Sequence, residues 1–256
     1  MKRLSLLIFL FSMYLYDSEL SFASDSSMTL TLAAVEWKPM NSPELENDGY
    51  MSEIVRSALS QMGYTLDIKW APWNRVLEMS KLGGYDGILV ASHKKERENY
   101  FEYSHKIGSE RFIFWQRSED DYSYDSLNSF NGMKVGVLLG SNFTQDLKNH
   151  GNIIVDEVSN IRQNILKLSH GRIDAFLGSY DNVNYILNSE LSEHRGQLKP
   201  ITPDYRTYDL YMLISKKHPN HKSIVKGFNH SLKKMIMDGR YESILVEHGI
   251  LNVKIK

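Results

Sequence analysis

The chain has 256 residues, 42% of them hydrophobic, and a formal net charge of −1. That length holds one large domain or two small ones, with ample material for a core. The charge balance, with basic residues scattered in runs of no more than two, gives no electrostatic case for nucleic acid or an anionic membrane surface.

The chain opens on Lys2 and Arg3, then an apolar stretch, Leu4 to Tyr16, broken by two serines. Ser21-Phe22-Ala23 offers small residues at the two positions a signal peptidase reads. The apolar stretch is too short for a bilayer-spanning helix, so residues 1–23 read as a cleaved export signal; an uncleaved anchor is the competing reading. No later segment approaches eighteen apolar residues. The chain has no cysteine, which excludes disulfides, thiolate metal sites, cysteine nucleophiles and a lipidated N-terminal cysteine. Export without cysteine points to a soluble protein of a Gram-negative periplasm.

Strands and helices then alternate. Thr29–Val35 predicts a strand. Met51 to Met62 carries apolar residues at 51, 54, 55, 58, 59 and 62, the spacing of a helix face, closed by Gly63. Thr65–Trp70 alternates as a strand, and Pro72 introduces a helix over Trp73–Leu82. Gly84-Tyr85-Asp86-Gly87 turns into the buried strand Ile88–Val90. A polar loop to Arg97 and a short strand at Phe101–Ser104 follow. This βαβαβ order implies parallel strands with right-handed crossovers.

Arg111–Trp115 predicts a further strand, and polar Ser118–Asp121 ends it. A second α/β unit begins at Met133–Leu138, continues through a helix opened by Gly140–Thr144, and includes strands at Asn152–Asp156 and Ile173–Leu177 and helices at Ile161–Leu168 and Asp181–Leu187. Leu210–Ile214 reads as a strand returning to the first unit. The helices Lys222–Met237 and Tyr241–His248 finish the chain. The expected organisation is α/β with two lobes. Residues 24–115 and 210–256 form the first, residues 116–209 the second, inserted one, and two crossings between them make a hinge around a cleft.

Ligands of open α/β sheets bind beyond the carboxyl ends of the strands. Arg97, just past such an end, presents a planar fork suited to a carboxylate, with Ser92 able to add a hydrogen bond. The competing reading is a solvated arginine paired with Glu96, Glu98 or Glu102. The Gly140-Ser141-Asn142 turn either offers N–H groups to an anion or is capped by Ser141 or Asn142. Trp37 and Trp73 can line a cleft or pack a core. Asp181, after Ser179-Tyr180, can meet a ligand cation or cap a helix. The nine histidines show no metal spacing, and no phosphate loop, dinucleotide fingerprint or nucleophile elbow is present. No cofactor is expected.

Together these segments resemble family 3 of the periplasmic solute-binding proteins, which serve polar amino acid ABC importers and have the type II binding fold. The resemblance covers essentially the whole mature chain. It rests on Gly84–Ile88 through Lys95–Arg97 and Phe101–Ser104, on Asn131–Val137 with Gly140-Ser141, on Gly171-Arg172-Ile173-Asp174-Ala175, and on Leu232, Lys233, Asp238–Tyr241 and Ile244-Leu245. It implies that Arg97 holds a ligand carboxylate, assisted by Ser92 and the Ser141–Asn142 turn, with Trp37 covering the ligand side chain and Trp73 lining the pocket. The family's aspartate for the α-ammonium is replaced by Ser179, so either Asp181 or Glu36 substitutes or the ligand lacks that group. Arg75 either binds a second anionic group or braces the lobe. The function implied is periplasmic capture of a small carboxylate-bearing solute by hinge closure, as a monomer, for an inner-membrane ABC permease, without catalysis. The alternatives are a dehydratase-like enzyme acting on a cyclic acid, with Glu36 or Asp181 as its acid, and a ligand-loaded partner of a membrane receptor.

Overall fold

A computed structural model describes residues 28–141 and 143–250; the expected signal segment and Asn142 lie outside the described residues. Two aspartates organise it in the same way. Asp86 accepts from the Thr31 N–H at 2.7 Å while its own N–H donates to the Thr31 carbonyl. Asp174 repeats this with Lys134, again at 2.7 Å. Each aspartate precedes the third strand of a βαβαβ unit and ties it to the first. The recurrent Gly-Tyr-Asp-Gly and Arg-Ile-Asp-Ala turns thus set strand register through a charge-assisted bond to backbone.

The first unit comprises β1 (Met28–Ala34), α1 (Tyr50–Ser60), β2 (Tyr64–Trp70), α2 (Trp73–Leu82) and β3 (Gly87–Ser92), followed by β4 (Phe101–Tyr103). β1 runs parallel to both β2 and β3. The apolar stripe of α1 is buried as its spacing predicts, with Met51, Ile54, Val55, Ala58 and Leu59 inside. α2 ends at Gly83, whose φ of 83° lets its N–H close onto the carbonyls of Met79 and Ser80.

The chain leaves this unit through β5 (Gly108–Arg117). The second unit comprises β6 (Lys134–Leu138), α3 (Thr144–His150), β7 (Ile154–Val158), α4 (Ile161–Ser169), β8 (Ala175–Ser179) and α5 (Tyr180–Ser189). β6 is parallel to β7 and β8. β9 (Leu198–Ser215) returns antiparallel to β5, and α6 (His221–Met237) and α7 (Arg240–Glu247) pack on the first unit. The strand order is β2-β1-β3-β9-β5-β8-β6-β7, with β4 on β9.

The apolar core is divided. Leu30, Leu32, Ile54, Leu89, Ile107, Leu210, Met212 and Phe228 belong to one cluster. Ile113, Trp115, Phe176 and Val183 form another, and Phe114, Phe130, Val137 and Ile201 a third around an aromatic stack in which Phe114 and Phe130 lie 4.2 Å apart. Cluster membership changes between Ile107 and Phe112 along the outward path and between Tyr208 and Leu210 along β9.

The strand expected at Leu210–Ile214 is the last part of an 18-residue strand. Its first half carries Pro200 and Pro203, which cannot donate to a ladder, and the β5–β9 register shifts between Phe112 and Phe114 where Pro203 falls. β7 lies at Ile154–Val158, two residues beyond its expected start, because Gly151 still closes α3 in the left-handed region at φ 81°. Among the described residues no helix is long and apolar enough to cross a membrane.

Gly87 lies against β9 so closely that a Cβ would sit 2.0 Å from the Leu213 carbonyl oxygen. Gly87→Ala is expected to lower stability by about 1–3 kcal/mol through displacement of β3 from β9. Thermal denaturation followed by circular dichroism checks this; an unchanged midpoint would contradict the tight approach.

Candidate functional site: a cleft between the two cores

A cleft of about 730 Å³ opens between the two units, a size suited to a small molecule. One wall carries Trp37, Trp73, Ser92 and Arg97; the other carries Ser141, Phe143 and Ser179. Glu110 and Tyr208, directly opposite each other on β5 and β9, also line it.

Arg97 sits in a short 3₁₀ turn over Lys95–Asn99, with its side chain folded back toward β3. Only 7% of the residue is exposed. Its Nη1 donates to the Ser92 carbonyl at 3.0 Å, and its guanidinium lies 4.7 Å from the centre of the Trp73 ring. The Tyr103 hydroxyl is beside it. Among the described residues no carboxylate approaches the guanidinium within 4.0 Å. Glu98 pairs with His93 and Glu102 faces His221 instead. Burial pulls the Arg97 pKa below the ordinary arginine range, partly offset by Tyr103 and Glu96. A cation so placed has only neutral partners, the Ser92 carbonyl and the Tyr103 hydroxyl, and an aromatic face, which leaves donors for an anion entering the cleft.

Ser92 does line the cleft, but it is its carbonyl that holds Arg97. Trp37 follows β1 on a loop closed by reciprocal backbone bonds with Asn41, at 2.7 and 3.0 Å. Val35 and Trp37 both face the cleft, so Glu36 between them points away: it is half exposed and accepts from Ser42 Oγ at 2.9 Å. Arg75 also lies outside the cleft. Two residues after Trp73 on α2 is about 200° round the helix, which puts it on the solvent face. Ser141 lines the cleft with its hydroxyl 3.2 Å from Thr144 Oγ1. The helix expected to open at Gly140 starts at Thr144 and has seven residues.

Ser179 is 2% exposed and ends β8. Its hydroxyl does not cap α5 and makes no hydrogen bond of ordinary geometry. Asp181 lies behind it rather than on the cleft wall, interacting with the Tyr50 hydroxyl and within the field of Arg111. Burial raises the Asp181 pKa. The neighbouring Asn182 donates to the Lys38 carbonyl at 2.6 Å, joining α5 to the Trp37 loop.

Glu110 is the acid that reading the sequence left out. It precedes the strand expected at Arg111–Trp115 and there resembles an ordinary polar edge residue. β5 begins earlier, at Gly108, and brings Glu110 into the cleft. Its Oε1 accepts from Trp37 Nε1 at 2.8 Å, and Ser179 lies close enough to hold its pKa down. Burial outweighs both and, with the Asp181 charge, pushes Glu110 up to about 7.

Among the described residues no group of three or more His, Asp or Glu side chains is placed to hold a metal. The sequence matches the bacterial extracellular solute-binding proteins, family 3, over residues 31–249. The chain belongs to that family.

This solute-binding protein has the type II periplasmic binding fold. It is similar to a Bacillus subtilis protein, YCKB_BACSU, at TM-score 0.73 and 18% identity, over 89% of this chain and 92% of that one. It also resembles the GluR0 ligand-binding core of Nostoc punctiforme, solved with L-glutamate, at TM-score 0.67 and 20% identity, over 86% and 99%. A third likeness is to AbpA of Streptococcus pneumoniae, an amino acid ABC transporter substrate-binding protein solved with L-arginine, at TM-score 0.66 and 16% identity, over 88% and 95%. No curated protein matches the sequence.

Glu110 also sets a pH dependence of the unliganded protein. Its folded pKa is raised, so folding favours the protonated form. That contribution is complete below the ordinary glutamate value of 4.5 and is lost as pH rises through about 7. A rise from 4.5 to about 7 amounts to at most roughly 3 kcal/mol. Denaturant titrations at pH 5 and pH 8 are expected to show wild-type stability falling across this window, and the fall to be smaller in Glu110→Gln.

Proposed function

We propose that this protein captures a small carboxylate-bearing solute in the periplasm, closing residues 24–115 and 210–256 against the inserted 116–209 unit around it. It then presents the closed form to an inner-membrane ABC permease. The observation that carries this reading is Arg97, nearly buried at the cleft, stacked on Trp73 and without a carboxylate partner among the described residues. Leaving a buried charge unpaired costs several kcal/mol, and a ligand carboxylate supplies the missing partner. Ser92 and Ser141 line the same cleft, and Trp37 and Trp73 give it the aromatic walls that suit the rest of the solute. The division of the core, with membership changing along the strands β5 and β9, supports a hinge there. Solved proteins of the same fold include amino acid ABC transporter substrate-binding proteins, which supports the transport role.

A second reading is a sensory one, favoured by the likeness to a histidine kinase sensor domain at TM-score 0.68 and 16% identity. It uses the same cleft and differs only in what reads the closed form. Binding without turnover is proposed in both cases. Glu36 and Asp181, the acids considered for catalysis, stand outside the cleft wall.

Titration calorimetry with amino acids and small carboxylic acids tests the reading. Arg97→Ala is expected to weaken binding about ten- to hundredfold, the value of a charge-assisted bidentate pair. Unchanged affinity would remove Arg97 from the site. Mass spectrometry of the bound solute is expected to return it chemically unaltered.

A further inference from the structure

Capture of a carboxylate by Arg97 fixes one end of a solute and leaves its body undefined. The rest of the cleft bears on that body. Three rings meet there: Phe112 on β5, Phe143 just before α3 and Tyr208 on β9 all line the cavity. The Phe112 and Phe143 ring centres lie 4.6 Å apart, and Tyr208 stands edge-on to Phe112 at 5.9 Å and 6.1 Å from Phe143. The three rest on the cluster that holds Phe114 and Phe130. Those two rings are fully buried, whereas Phe112 and Tyr208 keep part of their surface open. Leu139, one residue beyond β6, lines the same cavity and is 64% exposed.

Completion of the core accounts for Phe143, which is buried, but not for Leu139 or for the open parts of Phe112 and Tyr208. Apolar surface gathered in a concavity marks a ligand groove. The polar groups of the cleft sharpen this. Among the described residues the second unit brings no charged side chain to the lining; its polar side chains there are Ser141 and Ser179. Ser141 is already paired with Thr144, and Ser179 lies beside Glu110. The basic lining groups Lys94 and Arg97 come from one loop of the first unit and serve one end of a solute. A polar side chain turned toward the rings gives up water without replacement, whereas an apolar ring gives up nothing. Trp37, on the opposite wall, has its N–H committed to Glu110 and is left with its ring to offer.

We propose that Phe112, Phe143, Tyr208 and Leu139 form a ring-binding subsite, so that the solute is a carboxylic acid whose body is an aromatic or similarly bulky apolar ring. The inference deepens the carboxylate reading and rests on it for the head group only. Burial of a ring also has a calorimetric signature, a more negative heat capacity of binding than that of a ringless acid with the same head group.

The probes vary the body at a fixed head group. 3-Phenylpropanoate and indole-3-acetate are compared with butanoate and glutarate, phenylpyruvate with pyruvate and 2-oxoglutarate, and L-phenylalanine with L-alanine and L-glutamate. 2-Phenylethanol supplies a ring without an acid. Thermal shift identifies binders, and calorimetry at several temperatures gives affinity and heat capacity. In whichever series binds, the ring compound is expected to bind about ten- to hundredfold more tightly than its short-chain and dicarboxylate counterparts, with the more negative heat capacity. Phe112→Leu, which keeps an apolar side chain, and Leu139→Ser, at an exposed position, are each expected to narrow that ratio about two- to tenfold. If Phe112→Leu does not fold, Leu139→Ser and the wild-type ratio decide. A ringless acid that binds as tightly as its ring counterpart, equal heat capacities within a series, a ratio unchanged in both variants, or a panel in which no ring compound binds would each overturn the proposal. Ring compounds, 2-phenylethanol among them, that bind wild type and Arg97→Ala equally well would sink the carboxylate reading and leave the ring subsite standing. Short acids that bind through Arg97 and gain nothing from a ring would do the reverse.

Discussion

The antiparallel ladder between β5 and β9 is the constraint on which the site depends. These two strands carry the chain from one set of apolar clusters to the other, and their register is continuous from Gly108–Leu210 to Phe112–Arg206. Glu110 and Tyr208 stand opposite each other within that run and both line the cleft. A residue on a paired strand has its side-chain direction fixed by the pleat. Binding groups from the ladder are therefore placed more rigidly than those from the loops after β1 and β3. The register shift beyond Phe112 interrupts the ladder on the side of the second unit, where Pro203 falls.

The electrostatics of the cleft divides along the same lines. Arg97 comes from the first unit and is held by a carbonyl and an aromatic face. Glu110 comes from the ladder and is held by an indole N–H. Arg97 is buried and Glu110 half-buried, each beside neutral hydrogen-bond partners, and each pKa moves toward the neutral form. Compare Arg111, tied bidentately to Asp204, and Asp156, between Lys134 and Lys167: these are closed ion pairs near the surface, and their pKa values move toward the charged form. The contrast separates charges closed in ion pairs from charges set beside neutral groups at the cleft. It also explains why a net charge of −1 says so little here. What a ligand meets is the small number of charges whose desolvation is uncompensated.

Much of this was legible from residue order. The amphipathic spacing of α1 and the Pro72 entry to α2 are local signals, and both helices form as they predict. Trp37, Trp73, Ser92, Arg97, Ser141 and Ser179 all reach the cleft because strand ends and loop positions suffice to place them. Glu36 and Arg75 do not, for reasons equally local: each neighbours a cleft residue at an offset that turns it away, one position along extended backbone and two along a helix. The first half of β9 and the role of Glu110 were not legible in that way. Prolines at 200 and 203 argue against a strand that forms because β5 lies beside it. Glu110 has significance only through Trp37 and Ser179, 73 and 69 positions away in sequence.

The same distance in sequence bears on how specificity is built. A carboxylate on β8 at position 179 would belong to the second unit alone. Glu110 instead is bonded to Trp37 of the first unit and lies beside Ser179 of the second. Charge at this one residue thus couples the Trp37 loop, the ladder and the start of α5, where Asn182 already grips the Lys38 carbonyl. Ionisation of Glu110 strengthens its hydrogen bond from Trp37, since bonds to a charged acceptor are roughly twice as strong as neutral ones. Selectivity in such a cleft comes from the state of its wall as much as from the contacts a solute makes.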